Sequence, residues 1–280
     1  MTCRDYCMML ALAVAASGAA RGQDMGPADS AVWKKVHASV FAGAAIEPGD
    51  RVVVLETPKR AEDAAIVPLA IRAQFPQTRD RYIEKIWLVI DNNPSPIAAV
   101  FQFTLESGRA DIETRVRIEE YTYVRAIALT NDGKLYMAAN YVKAAGGCSA
   151  PAGKDALAAK ANLGKMRLRV SETLASGQPA LAQLMVSHPN DSGLAMDQVT
   201  RSYATPHFVR RVEVRYDGRL IMNADVDFSI SENPNFRFYF VPRGSGELKA
   251  QAEDTKNKQF EGAVAVNAQG GVQQTSSNGL

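Results

Sequence analysis

The sequence predicts an all-β protein made of two immunoglobulin-like β-sandwich domains in tandem, with a short N-terminal helix. Two series of short segments, rich in valine, isoleucine and tyrosine, alternate apolar and polar residues with a period of two, and residues that favour turns separate them. A run of small residues, 144–153, divides the two series. Several short strands at regular spacing are typical of a sandwich, so each series predicts one domain.

The predicted helix precedes the strands. Asp29 and Ser30 can cap its N-terminus, and apolar residues then recur at three- and four-residue spacing as far as Phe41. We expect the helix to cover about residues 31–42 and to end at Gly43, with its apolar side packed on a sheet.

Turn residues separate the strands of the first series. Asn-Asn-Pro at 92–94 and Asn-Asp-Gly at 131–133 favour turns, because asparagine and glycine tolerate a positive φ and proline presets φ. The predicted strands of this series are residues 51–55, 66–75, 83–91, 97–105, 112–119, 123–129 and 135–142.

The second series contains a clear hairpin signal, Asp217-Gly218, between two apolar runs. A short helix over 155–163 is predicted before it. Residues 268–280 are glutamine, glycine, serine and asparagine for the most part, a composition that predicts disorder. The predicted strands are residues 166–170, 181–187, 209–216, 220–226, 237–241, 248–253 and 263–266.

The first 22 residues have the layout of a secretory signal peptide. Arg4 precedes an apolar run over 7–16, and small residues follow it. The run is too short to span a bilayer, which takes ~20 residues, and no later segment is long and apolar enough. We therefore expect a soluble, periplasmic protein that does not associate with a membrane. A net charge of +2, without a basic stripe, argues against nucleic-acid binding.

The sequence has three cysteines, and Cys148 is the one that lies outside the predicted signal peptide. Cys3 and Cys7 lie in the predicted signal peptide, so Cys148 is the one cysteine of the expected mature chain. An odd thiol in an oxidising compartment is either reactive or paired between molecules, and a disulfide-linked dimer through Cys148 is one consequence to consider.

The neighbours of Cys148 predict an exposed thiol. A cysteine within a strand usually acts as a small buried hydrophobe. Here Gly146, Gly147 and Ser149 surround it outside any predicted strand, and we expect them to form a flexible loop. Lys143 and Lys154 are near enough in sequence to lower the pKa of the thiol modestly. An accessible, weakly activated thiol suits a carrier better than a nucleophilic catalyst.

No other residues predict catalysis. The sequence has no nucleophile elbow, phosphate-binding loop or dinucleotide fingerprint. His37, His188 and His207 form no pair with metal-ligand spacing, and Asp225 and Asp227 are expected on a solvated strand. We therefore predict no metal, no cofactor and no enzymatic activity.

An ordered series of motifs in the first half ends at Cys148. They are Lys59-Arg60-Ala61-Glu62-Asp63 with Val67-Pro68, Asp91-Asn92-Asn93-Pro94-Ser95-Pro96, Thr114-Arg115-Val116-Arg117, Asn131-Asp132-Gly133 and Val142-Lys143-Ala144-Ala145-Gly146-Gly147-Cys148. With these motifs, residues from about 33 to 148 resemble SoxY, the sulfur-carrier subunit of the bacterial thiosulfate-oxidising system.

A second ordered series follows in the other half. It comprises His188-Pro189 with Ser192-Gly193, Pro206-His207-Phe208-Val209, Asp217-Gly218, Ser229-Ile230-Ser231-Glu232-Asn233-Pro234 and Glu253-Asp254. Residues from about 165 to 266 thereby resemble SoxZ, the partner subunit of SoxY. The fused arrangement is similar to SoxYZ-like carriers associated with quinoprotein dehydrogenases.

The resemblance implies two immunoglobulin-like sandwiches and a cysteine arm that carries sulfur intermediates between enzymes, a role that falls on Cys148. The expected division is a signal peptide over 1–22, a SoxY-like sandwich over 29–143, a linker with the carrier cysteine over 144–164 and a SoxZ-like sandwich over 165–267. SoxY ends in a free Gly-Gly-Cys-Gly-Gly tail, whereas Ser149-Ala150-Pro151 continues this chain, so the arm is internal.

Two functions remain open at this stage. The first is a periplasmic carrier that holds a sulfur or related adduct on Cys148 and presents it to Sox-type or quinoprotein enzymes. The alternative is a non-catalytic accessory module that docks on a pyrroloquinoline-quinone-dependent dehydrogenase, with Cys148 incidental or forming a disulfide-linked dimer.

Overall fold

The structure, a computed structural model, describes residues 30–151, 161–172, 174–196 and 200–267. The predicted signal peptide, the predicted disordered tail and most of the predicted helix over 155–163 lie outside these residues. No helix within the described ranges is long and apolar enough to cross a membrane.

The N-terminal helix, α1, covers Ala31–Val40. The side chain of Ser30 caps it by accepting the backbone N–H of Trp33 at 3.2 Å. Trp33 and Val36 are buried against strand residues such as Ile127, so the amphipathic pattern was interpreted correctly. The helix ends two residues earlier than predicted.

Strands dominate the rest of the fold, which confirms the all-β prediction. The first half contributes β1 (Ile46–Pro48), β2 (Val53–Glu56), β3 (Val67–Ala73), β4 (Ile83–Ile90), β5 (Ile97–Phe103), β6 (Ile112–Val116), β7 (Thr122–Thr130) and β8 (Leu135–Val142). The second half contributes β9 (Met166–Val170), β10 (Ala180–Val186), β11 (Val209–Tyr216), β12 (Arg219–Val226), β13 (Asn235–Phe240), β14 (Ser245–Asp254) and β15 (Gln259–Asn267).

One strand was missed. β1 is three residues long, ends in a proline and pairs in parallel with β8. Short segments that contain proline do not match a strand pattern, because proline cannot donate to the ladder.

The two halves share both of their sheets. One sheet has nine strands in the order β1-β8-β7-β4-β5-β12-β11-β14-β15, and the other has six in the order β2-β3-β6-β13-β10-β9. β5 pairs antiparallel with β12, and β6 pairs antiparallel with β13. The two predicted sandwiches are therefore joined edge to edge in both layers.

The core is continuous across this junction. The rings of Phe101 on β5 and Phe236 on β13 meet edge to face, with centroids 6.2 Å apart, and both side chains are fully buried. These residues come from different halves and different sheets. Burial of aromatic side chains is a large stabilising contribution, so the contact ties the halves and the layers together.

Candidate functional site

Cys148 lies where the two halves meet, at the end of a segment that follows β8. The side chain is fully buried, so the expectation of an exposed thiol is wrong for this structure. Gly146 and Ser149 are exposed, whereas Gly147 is buried with Cys148. We call residues 144–149 the carrier segment, after the role that the resemblance to SoxY implies for Cys148.

The carrier segment is held by the loop that follows β6. The N–H groups of Gly146 and Gly147 donate to the carbonyl oxygens of Glu119 and Ile118, at 2.8 and 2.9 Å. The Glu119 carboxylate then accepts three further hydrogen bonds, from the N–H of Cys148 at 2.8 Å, the N–H of Ser149 at 3.1 Å and the Ser149 hydroxyl at 2.9 Å. We call this set around the carboxylate the Glu119 clasp. The segment predicted to be flexible is therefore hydrogen-bonded in place.

The second half of the chain completes the enclosure. The Ser192 hydroxyl donates to the carbonyl oxygen of Cys148 at 2.5 Å. The buried Arg117 guanidinium donates to the carbonyl oxygen of Gly147 at 3.3 Å, and at 3.4 Å to those of Pro189 and Asn190. Docking of the carrier segment thus depends on contacts from both halves.

Gly147 explains why the flexibility prediction failed. A Cβ at this position would lie 2.0 Å from the carbonyl oxygen of Ala64, which already accepts the N–H of Ile118 at 2.9 Å. Glycine permits mobility, but it also permits close approach of two backbones. Here the second property applies, and sequence cannot separate the two.

Asn93 positions the loop that forms the clasp. Its amide nitrogen donates to the carbonyl oxygen of Arg117 at 2.8 Å and to the Ser229 hydroxyl at 3.0 Å. Its amide oxygen accepts the N–H of Glu119 at 2.9 Å. Because Asn93 is buried, these bonds fix the direction in which Arg117 and Glu119 leave the backbone.

The electrostatic surroundings keep the thiol protonated. Burial and, to a smaller extent, the nearby Glu119 carboxylate raise the pKa of Cys148 to about 12, and Arg117 opposes the shift only in part. The expected lowering by Lys143 is wrong, since Glu119, Arg117 and Asp227 are the charges that act. Lys154 lies outside the described residues. Burial also raises the pKa of Asp227, to about 6.

This geometry determines what the thiol can do. The thiolate is the form that attacks or accepts a group, and it is negligible at neutral pH when the pKa is about 12. The docked position therefore protects the thiol, and chemistry at Cys148 requires the carrier segment to leave the clasp.

A second cluster, which sequence spacing did not reveal, joins His188, His207 and Asp254. Their ligating atoms lie within 4.8 Å of one another, and all three residues are buried. The Asp254 carboxylate is 2.7 Å from Nε2 of His207 and 3.6 Å from Nε2 of His188. The residues are distant in sequence, so only the fold brings them together.

Hydrogen bonding argues against a metal in this cluster. Nδ1 of His188 accepts the backbone N–H of Asn190 at 3.0 Å. Burial and the neighbouring His207 lower the pKa of His188 to about 4, so the ring is neutral at pH 7 and carries its proton on Nε2. That nitrogen has no lone pair to offer a metal, and the cluster is better described as two imidazoles around one carboxylate.

Comparison with known proteins assigns both halves. Residues 37–148 match the family model described as sulfur oxidation protein SoxY, and residues 166–265 match the one described as sulphur oxidation protein SoxZ. The two matches confirm the resemblance seen in the sequence motifs and follow the same order. No curated protein matches the chain.

The solved structures that the chain matches include the sulfur carrier protein SoxY from Chlorobium limicola f thiosulfatophilum. It is 23% identical over 40% of this chain and 91% of its own, with a TM-score of 0.34. The superoxide reductase (neelaredoxin) from Ignicoccus hospitalis is 18% identical over 40% of this chain and 86% of its own, with a TM-score of 0.28.

Proposed function

Because the chain belongs to the SoxY and SoxZ families, with both domains in one polypeptide, we propose that it carries a sulfur or related adduct covalently on Cys148 and presents it to partner enzymes. Proteins of these families take part in sulfur oxidation as carriers rather than as catalysts. The SoxY match ends at Cys148, and Cys148 is a free thiol among the described residues.

The proposal rests on how the carrier segment is held in the fold. Hydrogen bonds to Glu119, Ser192 and Arg117 fix it, and no strand has to break for it to leave. Cys148 follows the last residue of β8 by six positions, so an extended segment could move the thiol by up to about 20 Å from that strand. The docked state protects the thiol, and the released state presents it.

The predicted signal peptide supports a periplasmic location for this exchange. Partner enzymes of the Sox type or quinoprotein dehydrogenases are consistent with it, and the carrier role needs no cofactor. The chemistry that loads and removes the adduct belongs to those partners, because burial and the Glu119 carboxylate keep the docked thiol protonated.

An accessory role is the second candidate. Burial of Cys148 and a pKa of about 12 are also what an incidental core cysteine would show. In that case the chain would dock on a quinoprotein dehydrogenase without any covalent cargo.

Intact mass spectrometry of protein purified from periplasm without reductant separates the two candidates. A carrier shows a mass excess that maps to Cys148, is lost on reduction and is absent from Cys148→Ser. If the wild-type mass stays that of the bare chain after incubation with thiosulfate or sulfide and periplasmic extract, the carrier proposal fails. A docking module would then retain partner affinity in Cys148→Ser.

A further inference from the structure

A groove of about 570 Å³ lies beside the root of the carrier segment. Its lining residues are Thr57, Lys59, Arg60, Asn140, Tyr141 and Lys143. Two backbone hydrogen bonds hold its walls together, from the N–H of Lys143 to the carbonyl oxygen of Lys59 at 3.0 Å and from the N–H of Ala61 to that of Lys143 at 3.2 Å. The groove is therefore part of the folded framework rather than a gap between loose loops.

Three positive charges face this groove without a counter-charge. Lys59, Arg60 and Lys143 are exposed, and within the described ranges none of them has a carboxylate within 4 Å. The neighbouring Glu56 pairs with Arg72 instead. In the same half, Arg72 forms a close ion pair with Glu113. The groove differs from a single unpaired surface cation because three unpaired cations line one cavity. Like charges held together repel, and an anion between them would relieve that repulsion.

The donor groups suit an oxyanion. Arg60 presents a planar fork that can bind two oxygens at once, and each lysine adds an ammonium group. The Thr57 and Tyr141 hydroxyls can donate as well. The Asn140 amide is engaged elsewhere, since its nitrogen donates to the carbonyl oxygen of Leu55 at 2.7 Å. We propose that this groove binds a small, doubly charged oxyanion of the sulfate class.

The position of the groove relates it to the carrier segment. Lys143 immediately precedes that segment and lies five residues before Cys148. A released segment keeps the thiol within about 17 Å of Lys143, so a negatively charged group carried on the sulfur could reach the groove. This last connection rests on the proposed carrier function, whereas oxyanion binding itself does not.

The test is a titration of the isotope-labelled protein with sodium sulfate, followed through backbone amide chemical shifts at constant ionic strength set with sodium chloride. We expect saturable shifts at the amides of Lys59, Ala61 and Lys143. The triple variant Lys59→Gln/Arg60→Gln/Lys143→Gln should bind at least about tenfold more weakly, because it removes all three charged donors of the groove.

A charge-matched control is Lys34→Gln/Lys35→Gln/Arg51→Gln, which removes three exposed cations away from the groove. It should bind sulfate as the wild type does. The proposal is wrong if wild-type shifts do not saturate, or if the control variant loses as much affinity as the groove variant. Cys148→Ser should bind sulfate normally, so a failure of the carrier function leaves this result unaffected.

Discussion

The Ser192 hydroxyl lies 2.5 Å from the carbonyl oxygen of Cys148 and donates a hydrogen bond to it. Ser192 belongs to the SoxZ half and Cys148 to the SoxY half, so the docked thiol is held by a contact between halves. The same hydroxyl accepts the N–H of Leu194 at 3.1 Å, which fixes its direction. The SoxZ half therefore helps directly to hold Cys148 in its buried position.

Removal of this hydroxyl should increase access to the thiol. In Ser192→Ala the Cys148 carbonyl loses a neutral hydrogen bond that contributes about 1 kcal/mol, so the released population should rise about fivefold. The measurement is the rate at which iodoacetamide modifies Cys148 in the native protein. Ser202→Ala, an exposed serine in the same half, should react at the wild-type rate. Equal rates in both variants and the wild type would contradict a role for Ser192.

The Glu119 clasp should have the larger effect. Glu119→Ala removes three hydrogen bonds to a charged acceptor, so we expect at least about a tenfold faster alkylation of Cys148. Glu119→Gln keeps the shape and loses the charge, and should lie between this variant and the wild type. Glu120→Ala is the matched control, because Glu120 is the neighbouring carboxylate and is exposed. Slow alkylation in Glu119→Ala would show that other contacts suffice.

Gly147 tests whether docking needs the close backbone approach. In Gly147→Ala the new Cβ would overlap the carbonyl oxygen of Ala64, and that backbone cannot retreat without losing its bond from Ile118. We expect release of the carrier segment and fast alkylation, with the sandwich still folded by circular dichroism. Ala145→Ser, at an exposed position of the same segment, should leave the rate unchanged.

The raised pKa of Cys148 has a consequence at alkaline pH. The folded thiol, with a pKa of about 12, stays protonated where the unfolded thiol, with a pKa near ~8.5, has ionised. The stability due to this group is complete below the lower value and is lost as pH rises toward the higher one. At about pH 10 the loss is on the order of 2 kcal/mol. The measurement is the free energy of unfolding of the wild type minus that of Cys148→Ser, which should fall as pH rises above ~8.5. A difference that does not change with pH would contradict the prediction.

The lowered pKa of His188 predicts a loss of folding stability at acidic pH. Its pKa is lowered to about 4 by burial and by His207, so the unfolded state binds a proton first as the solution is acidified. Stability should be lost as pH falls from about 6.5 toward 4, by on the order of 3 kcal/mol in total. His188→Asn keeps an acceptor for the Asn190 N–H and cannot titrate there. The difference in unfolding free energy between wild type and variant should therefore depend on pH in this range.

Much of the fold was predictable because it depends on local periodicity. The alternation over Val209–Tyr216 and the helical spacing around Trp33 each specify an element whose apolar face is buried in the structure. The pairing of β5 with β12 was not predictable, because the alternation within one strand does not specify which other strand pairs with it. Two domains and one shared pair of sheets give the same sequence pattern.

The sequence singles out Cys148 as a candidate site residue but does not predict its burial. Its position among small residues is a local feature, whereas its burial depends on Glu119, Ser192 and Arg117 from other parts of the chain. The clustering of His188, His207 and Asp254 depends in the same way on contacts between the connection from β10 to β11 and the end of β14. Contacts between residues that are distant in the chain leave no local pattern in the sequence.

The shared sheets have a consequence for assembly. If SoxY-like and SoxZ-like domains were separate chains, mass action would separate them on dilution. In this chain the linker keeps each edge strand near its partner at an effective concentration on the order of millimolar, whatever the protein concentration. The two halves are also made in equal numbers by necessity. The contact between Ser192 and Cys148 is therefore available in every molecule, even in dilute solution.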